Sequence, residues 1–217
     1  IIHCPPSVQL VALSATVANA GQLTDWIEKV HGPTTLVLSD HRPVPLQFSF
    51  CSAKGLHPLL NDAGTGLHPN CKVWRAPKGH KRKGRSAKPP QPEPPPISFV
   101  VAQMAERDML PAIYFIFSRR GCDKAVRDLG IQCLVNKEEQ ARIRARLKAY
   151  SSDNPEAVRD GIHADALLRG IAAHHAGVLP AWKELIEELF QQGLVKVVFA
   201  TETLAAGINM PARTTVI

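Results

Sequence analysis

The sequence predicts an α/β protein with two parallel-sheet units, each with helices on both faces of its sheet. Two observations support this fold class. Short apolar runs of strand length alternate with segments whose apolar residues recur at helical spacing, and a long polar stretch without such periodicity divides this alternation in two. We therefore predict a first region at residues 1–51, a linker or insertion at residues 52–96, and a second region at residues 97–217.

The first region begins with an apolar run at residues 8–13, which predicts a buried parallel strand. Asn19 is a candidate N-cap for a helix that follows, and Gly32-Pro33 marks the end of that helix. Residues 34–38 and 44–50 predict two further short strands. The first region should therefore combine one helix with three strands.

Residues 52–96 run through Gly-rich, basic and then Pro-rich composition, with six prolines between residues 89 and 96. Such a segment buries too little apolar surface to offset the entropy of ordering, so we expect it to be disordered. It also carries much of the positive charge of the chain, whose net charge is +7. Its basic residues are Lys72, Arg75, Lys78, Lys81, Arg82, Lys83, Arg85 and Lys88. Weak binding to RNA phosphates and simple solubilisation of an insertion both fit this composition.

The second region has the more regular alternation of strands and helices. The helices at residues 97–106 and 179–192 are predicted from their amphipathic pattern, and the strands at residues 112–117 and 195–200 from apolar runs of the kind that parallel sheets bury on both faces. The predicted helices cover residues 97–106, 119–129, 137–150, 155–168 and 179–192. The predicted strands cover residues 112–117, 171–174, 195–200 and 214–217.

Composition excludes several classes of protein. Hydrophobic residues make up 45% of the chain and charged residues 21%, which is typical of a protein with a buried core. The apolar runs are far shorter than the roughly 20 residues that span a bilayer, so we expect no membrane partner. The five cysteines form no C-x-x-C pair, which argues against a zinc site or a disulfide framework and favours a reducing compartment.

Hydroxyl, imidazole and guanidinium groups follow several of the predicted strands. In open α/β sheets the carboxyl ends of the strands form the ligand-binding crevice, where hydroxyl and backbone N–H groups suit phosphate oxygens. Singly, these residues are also explained as turns, helix caps, hydrogen-bonded loop histidines or surface charge. The groups are Ser14-Ala15-Thr16 after the first strand, Ser118 and Arg119, His175 and Gly177, and Thr201.

Taken together, these segments resemble the motifs of the superkiller-like DExH-box helicases of superfamily two, in both order and spacing. Ser14-Ala15-Thr16 resembles motif III, and ATETLAAGINMPAR at residues 200–213 resembles motif V. Between them, AIYFIFSRR at residues 112–120 resembles motif IV and IAAHHAG at residues 171–177 resembles motif IVa. Glu202 is more similar to the RNA-acting members than to the DNA-acting ones, which tend to carry proline at this position.

The resemblance covers about residues 5–51 and 97–217, and it implies two RecA-like units that bind RNA together and hold ATP and Mg²⁺ between them. Ser14, Ala15 and Thr16 would then couple the ATP site to RNA. The resemblance places the RNA backbone at Ser118, Arg119, His175, Gly177 and Thr201, and the nucleotide at Gly207 and Asn209. Backbone contacts of this kind follow a strand without reading its sequence.

Within the family, LPAIYFIFSRRGCD at residues 110–123 is most similar to the chloroplast members of plants and algae, which implies a chloroplast location. Neither G-x-x-x-x-G-K-[ST] nor D-E-x-H occurs in the sequence. Motif VI is also absent, so we expect an incomplete portion of an ATP-dependent RNA helicase that is inactive alone, with a second unit truncated at its end. Two alternatives stay open: a DNA-unwinding repair helicase of the same superfamily, and a degenerate motor that serves as an RNA-binding scaffold.

Overall fold

The computed structural model describes residues 1–5, 7–14, 17–39, 41, 44–74, 93–154, 161–201 and 210–217. These residues form two compact units, which we call the N-terminal unit (Ile1–Gln47) and the C-terminal unit (Phe48–Ile217). None of the helices in the described ranges combines the length and the apolar character needed to cross a membrane.

The N-terminal unit contains one described helix, α1 (Ala20–His31), as the sequence predicts. Asn19 occupies the N-cap position, although its side chain makes no capping hydrogen bond. The helix ends at Gly32, which has a φ of 132° and donates its N–H to the Glu28 carbonyl oxygen at 3.1 Å. No residue of α1 is buried, so its apolar side chains lie at the surface.

The strands predicted in the N-terminal unit are wrong for its described residues. Residues 8–13, 34–38 and 44–47 form no paired strand, and Val11 and Leu13 are 76% and 93% exposed. A strand exists only where a neighbour accepts and donates its backbone hydrogen bonds, and no such neighbour occurs among the described residues of this unit. The parallel-sheet unit predicted for residues 1–51 is therefore not formed in the described structure.

A hairpin opens the C-terminal unit where the sequence predicts the start of a disordered segment. Strand β1 (Ser49–Ser52) pairs antiparallel with β2 (Gly55–Pro58), and a 3₁₀ helix follows at Pro69–Trp74. The expectation of disorder from residue 52 is therefore wrong for residues 52–74, and residues 75–92 lie outside the described structure. The strand predicted at residues 44–50 overlaps β1 only at residues 49–50. Strand β2 is missed because its residues, GLHP, form no apolar run and end in proline.

The core of the C-terminal unit is a four-stranded parallel sheet. Its strands are β3 (Ala112–Phe115), β4 (Ile171–His174), β5 (Val197–Ala200) and β6 (Thr214–Val216), in the order β4-β5-β3-β6. All three neighbouring pairs are parallel. This arrangement confirms the predicted α/β class for the second region and fits a RecA-like unit.

Helices cover both faces of this sheet, and alternate strand residues bury against each layer. In β5, Val197 and Phe199 pack in one core cluster, whereas Val198 and Ala200 pack in the other. Each of these four side chains is fully buried. The helices are α2 (Ile97–Glu106), α3 (Arg119–Asp128), α4 (Lys137–Asp153), α5 (Gly161–Leu167) and α6 (Pro180–Gln191).

Polar contacts fasten α4 to the rest of the C-terminal unit. Asn136 and Glu139 form a reciprocal capping box at its first turn, and Glu139 also accepts a hydrogen bond from Lys196 Nζ at 2.6 Å. Burial raises the pKa of Glu139, but the hydrogen bonds from Lys196 and from the Asn136 backbone outweigh burial and leave that pKa below its ordinary value. Further along, Arg146 Nη2 donates to Glu188 Oε2 of α6 at 2.6 Å.

Candidate nucleic-acid interface

The candidate site lies at the carboxyl edge of the sheet, where three adjacent strands end. The Ile116 amide after β3 donates to the Ala200 carbonyl oxygen of β5 at 2.8 Å. The Thr201 amide after β5 donates to the His174 carbonyl oxygen of β4 at 3.3 Å. These bonds hold the ends of β3, β5 and β4 side by side, so the polar segments that follow them lie along one edge.

Helix α3 begins at this edge, immediately after β3. Ser118 is its N-cap, and the Ser118 Oγ accepts a hydrogen bond from the Gly121 amide at 3.2 Å. Arg119 is the first helical residue, and its side chain is exposed. Because the first N–H groups of a helix have no intrahelical partner and the helix dipole is positive there, this end of α3 suits an anion.

Gly121 makes the tight first turn of α3 possible. A Cβ atom at this position would lie 2.7 Å from Ile116 Cγ2 and 3.2 Å from Ser118 Cβ. The 2.7 Å contact is closer than packed atoms tolerate and the 3.2 Å contact is tight, and Cγ2 of isoleucine is attached to a stiff, β-branched centre. The glycine therefore allows α3 to start close against the end of β3, where Ser118 and Arg119 face the edge.

The paired histidines at the end of β4 bind to opposite helix layers. His174 Nε2 lies 2.7 Å from Glu187 Oε1 of α6, and His175 Nε2 lies 2.9 Å from Asp123 Oδ1 of α3. Both residues are buried, with 4% of His174 and 5% of His175 exposed. Within the ranges that the structure describes, no three His, Cys, Asp or Glu side chains converge on a position for a metal ion. The two rings instead attach the end of β4 to both helix layers.

Gly177 brings the loop after β4 close to Arg119. Its amide donates to His175 Nδ1 at 3.1 Å, and the Val178 amide donates to the His175 carbonyl oxygen at 3.0 Å. A Cβ atom on Gly177 would lie 3.1 Å from His175 Nδ1 and 3.8 Å from Arg119 Cδ. The predicted residues Arg119, His175 and Gly177 are therefore neighbours, although more than fifty positions separate Arg119 from the other two in the sequence.

The other predicted site residues fall outside this cluster. Ser14 is exposed in the N-terminal unit. Ala15 and Thr16 lie outside the described residues, and so do Gly207 and Asn209. The structure thus places Arg119, His175 and Gly177 beside one another. The roles in RNA contact, coupling and nucleotide binding all stay predictions.

Comparison with known proteins identifies the family of the chain. No family model matches the chain. Over its whole length the chain is 43% identical to a chloroplastic DExH-box ATP-dependent RNA helicase of Arabidopsis thaliana, covering 22% of that protein. It is 40% identical to a probable helicase of Mycobacterium leprae, covering 26% of it, and 36% identical to human superkiller complex protein 2, covering 19% of it.

The chain belongs to the superkiller-like DExH-box helicase family. It spans only about a fifth to a quarter of the length of these relatives. The family assignment made from the motifs is therefore confirmed by similarity that extends over the whole chain rather than over the motifs alone.

Sequence reasoning missed two carboxylates of this DExH-box segment, Asp123 and Glu187. Each binds a buried histidine, and Asp123 does so across 52 positions of sequence. Strand alternation could have signalled that His174 and His175 face opposite helix layers. No local pattern identifies their partners, because the contacts depend on how α3 and α6 pack on the sheet.

The charge of Asp123 also affects its neighbour in α3. Burial raises the pKa of the Cys122 thiol to about 11, and the Asp123 carboxylate contributes to the increase. Cys122 is fully buried and its thiol donates to the Ile116 carbonyl oxygen at 3.5 Å. This thiol is therefore part of the packing beneath α3 and not a nucleophile for the site.

Proposed function

We propose that this chain is part of an ATP-dependent RNA helicase and that the carboxyl edge of its sheet contacts the RNA backbone. The proposal rests on one observation: Ser118 and Arg119, His175 and Gly177, and Thr201 follow three adjacent strands and lie along one edge. The Arabidopsis relative is named as an RNA helicase, and the Mycobacterium leprae relative is named as a probable helicase. The family and this edge together support RNA as the ligand.

The groups along the edge suit a phosphate chain. Arg119 adds a guanidinium, which binds phosphate in a bidentate manner, to the positive end of α3. The hydroxyl of Ser118 accepts from Gly121 through its oxygen, which leaves the hydroxyl hydrogen for an acceptor such as a phosphate oxygen. Because every nucleotide carries the same backbone charge, such contacts bind RNA of any sequence.

The proposal assigns the residues outside this cluster by family resemblance. Ser14, Ala15 and Thr16 would belong to the first RecA-like domain and couple ATP hydrolysis to RNA, while Gly207 and Asn209 would face the nucleotide. Residues 97–217 would belong to the second RecA-like domain. ATP and Mg²⁺ supply the phosphoryl-transfer chemistry of such motors, but no phosphate loop or D-E-x-H segment occurs in this sequence to hold them. The chain alone should therefore not hydrolyse ATP.

The proposal also includes a cellular location and an additional contact with RNA. The Arabidopsis relative is chloroplastic, which supports a chloroplast location for this protein. The basic residues between positions 72 and 88 would add a weak, sequence-independent attraction to RNA outside the edge. The contacts at the sheet edge remain the principal interaction with RNA in this proposal.

The test is the RNA-stimulated ATPase activity of the full-length protein, with Arg119→Ala and Thr201→Ala. We expect Arg119→Ala to raise the RNA concentration for half-maximal stimulation about tenfold, because it removes a charge-assisted hydrogen bond of ~1.5 kcal/mol. Basal hydrolysis should persist in both variants. Matched controls are Arg127→Ala at the other, exposed end of α3 and Thr215→Ala on β6, which should behave as wild type.

The remaining outcomes separate the alternatives. Equal behaviour of Arg119→Ala, Thr201→Ala and their controls would contradict the proposed RNA edge. Equal stimulation by RNA and by DNA of the same sequence would favour a DNA-unwinding relative. A wild-type protein that binds RNA and hydrolyses no ATP would instead be an RNA-binding scaffold.

A further inference from the structure

Asp123 of α3 lies close to two histidines from other segments of the C-terminal unit, one in the loop after β4 and one in α5. Its Oδ1 atom is 2.9 Å from His175 Nε2 in the loop after β4 and 3.5 Å from His163 Nε2 in α5. Asp123 itself belongs to the first half of α3, five residues after Ser118. A single carboxylate oxygen thus joins the helix that carries Arg119 to the loop that carries Gly177.

The hydrogen bonds around His175 determine which ring nitrogen carries the proton. The Gly177 amide can only donate, so His175 Nδ1 must accept and carries no hydrogen. The neutral ring therefore has its hydrogen on Nε2, which faces an acceptor-only carboxylate oxygen of Asp123. Asp123 favours this tautomer, and this tautomer in turn leaves Nδ1 able to hold the Gly177 amide.

Burial strengthens the contact between Asp123 and His175. The His175 side chain is 6% exposed and the Asp123 side chain 28% exposed, so water competes poorly for the imidazole. A hydrogen bond to a charged acceptor is roughly twice as strong as a neutral one, and low local polarity increases its strength. The same helix offers a contrast in Asp128, whose side chain is 42% exposed and pairs with Lys124 at the surface.

We propose that Asp123 is a positioning residue of the RNA edge. It fixes the tautomer of His175, and His175 then holds the Gly177 amide in the turn beside Arg119. The inference rests on the proposed function, because it assigns Asp123 a role in binding the same RNA. Asp123 acts through His175 and Gly177 and does not itself contact RNA, since its carboxylate would repel a phosphate.

The first test measures hydrogen exchange of the Gly177 amide in the full-length protein by mass spectrometry, comparing Asp123→Ala with Asp128→Ala. Without the carboxylate, the His175 ring can carry its hydrogen on Nδ1 instead of Nε2, and Nδ1 then cannot accept the Gly177 N–H. We expect faster exchange at Gly177 in Asp123→Ala and wild-type exchange in Asp128→Ala. A purely structural role of Asp123 in α3 would instead accelerate exchange along the helix and leave Gly177 unchanged.

The second test measures the RNA concentration for half-maximal ATPase stimulation in the same variants. Asp123→Ala should raise it about tenfold and Asp128→Ala should leave it unchanged. Asp123→Asn keeps an oxygen acceptor without the charge, so it should raise the RNA concentration only about twofold. If Asp123→Ala does not fold, Asp123→Asn with Asp128→Asn as its control provides the same comparison.

The outcomes distinguish failure of this inference from failure of the proposed function. If Asp123→Ala matches Asp128→Ala in either experiment while Arg119→Ala weakens the response to RNA, the RNA edge stands and the role of Asp123 is wrong. If Arg119→Ala also leaves the response to RNA unchanged, the proposed function itself is wrong.

Discussion

The two units of this chain contain similar apolar runs with opposite environments. In the N-terminal unit, Leu10, Val11 and Leu13 are 37%, 76% and 93% exposed, although they belong to a run that predicts a buried strand. In the C-terminal unit, Val197, Val198 and Phe199 are fully buried in β5. The difference is in the partners: β5 has β3 and β4 as hydrogen-bonded neighbours and helices on both faces. An apolar run favours a strand, but the strand forms only where neighbouring strands and helices are present to pair with it and cover it.

The largest expected difference between the units is in how much free energy of unfolding is lost when a leucine is replaced by alanine. Leu189→Ala in α6 should lower the free energy of unfolding by about 2–5 kcal/mol, because Leu189 is fully buried and its loss leaves a cavity. Leu13→Ala should change it by less than about 0.5 kcal/mol, because Leu13 is already in solvent. Urea unfolding followed by circular dichroism measures both. Similar losses in the two variants would mean that Leu13 is buried in solution.

Two glycines should respond to alanine with opposite signs. Gly121→Ala should destabilise the protein by about 1–3 kcal/mol, because the added Cβ would lie 2.7 Å from Ile116 Cγ2. Gly21→Ala in α1 should stabilise α1 by about 0.5–1 kcal/mol, because nothing lies within 4 Å of the added atom and alanine favours a helix. Thermal unfolding monitored by circular dichroism tests the pair. A stabilising Gly121→Ala would show that α3 does not start close against β3.

The smallest effect concerns the surface pair that joins α4 to α6. The hydrogen bond from Arg146 lowers the pKa of Glu188 below its ordinary value of 4.5. A lowered pKa means that the stabilisation is complete above pH 4.5 and is lost as the pH falls through the folded-state value. At neutral pH, Glu188→Gln should cost about 0.2–1 kcal/mol, because both side chains are more than a third exposed and solvent screens them.

The pH dependence of that variant provides its own control. The difference in unfolding free energy between wild type and Glu188→Gln should shrink as the pH falls below 4.5. Glu184→Gln, an exposed substitution on the same helix that leaves the Arg146–Glu188 pair intact, is the matched control. If this difference in unfolding free energy stays constant with pH, the charge of Glu188 is not its cause.

The fold of the C-terminal unit was largely predictable from the sequence, since its periodic segments are long and its strands are paired. Helix α2 and strand β4 have the predicted bounds. Strand β2 was not predictable, because its residues, GLHP, form no apolar run, and only the end of the strand predicted at residues 44–50 coincides with β1. The strands of the N-terminal unit were predicted wrongly, because sequence periodicity contains no information about which neighbours are present.

The candidate site shows the same division between local and distant information. The placement of Ser118, Arg119, His175, Gly177 and Thr201 after three strands was predictable, because apolar runs precede them in the sequence. Their contact with RNA stays a prediction. Asp123 was not predictable, because its contact with His175 depends on the packing of α3 against β4 across 52 positions. Local patterns thus indicate which polar residues follow the strands, whereas the contacts that hold those residues in place require the tertiary structure.

The most direct test of the central claim is the salt dependence of RNA binding by the full-length protein. If Arg119 contacts an RNA phosphate, Arg119→Ala should lower the slope of log affinity against log salt concentration by about 0.7, the amount expected for one phosphate contact on a single strand. Arg127→Ala, at the other end of the same helix, should keep the wild-type slope. An unchanged slope and affinity in Arg119→Ala would contradict the account, because the carboxyl edge of the sheet would then not be in contact with the RNA backbone.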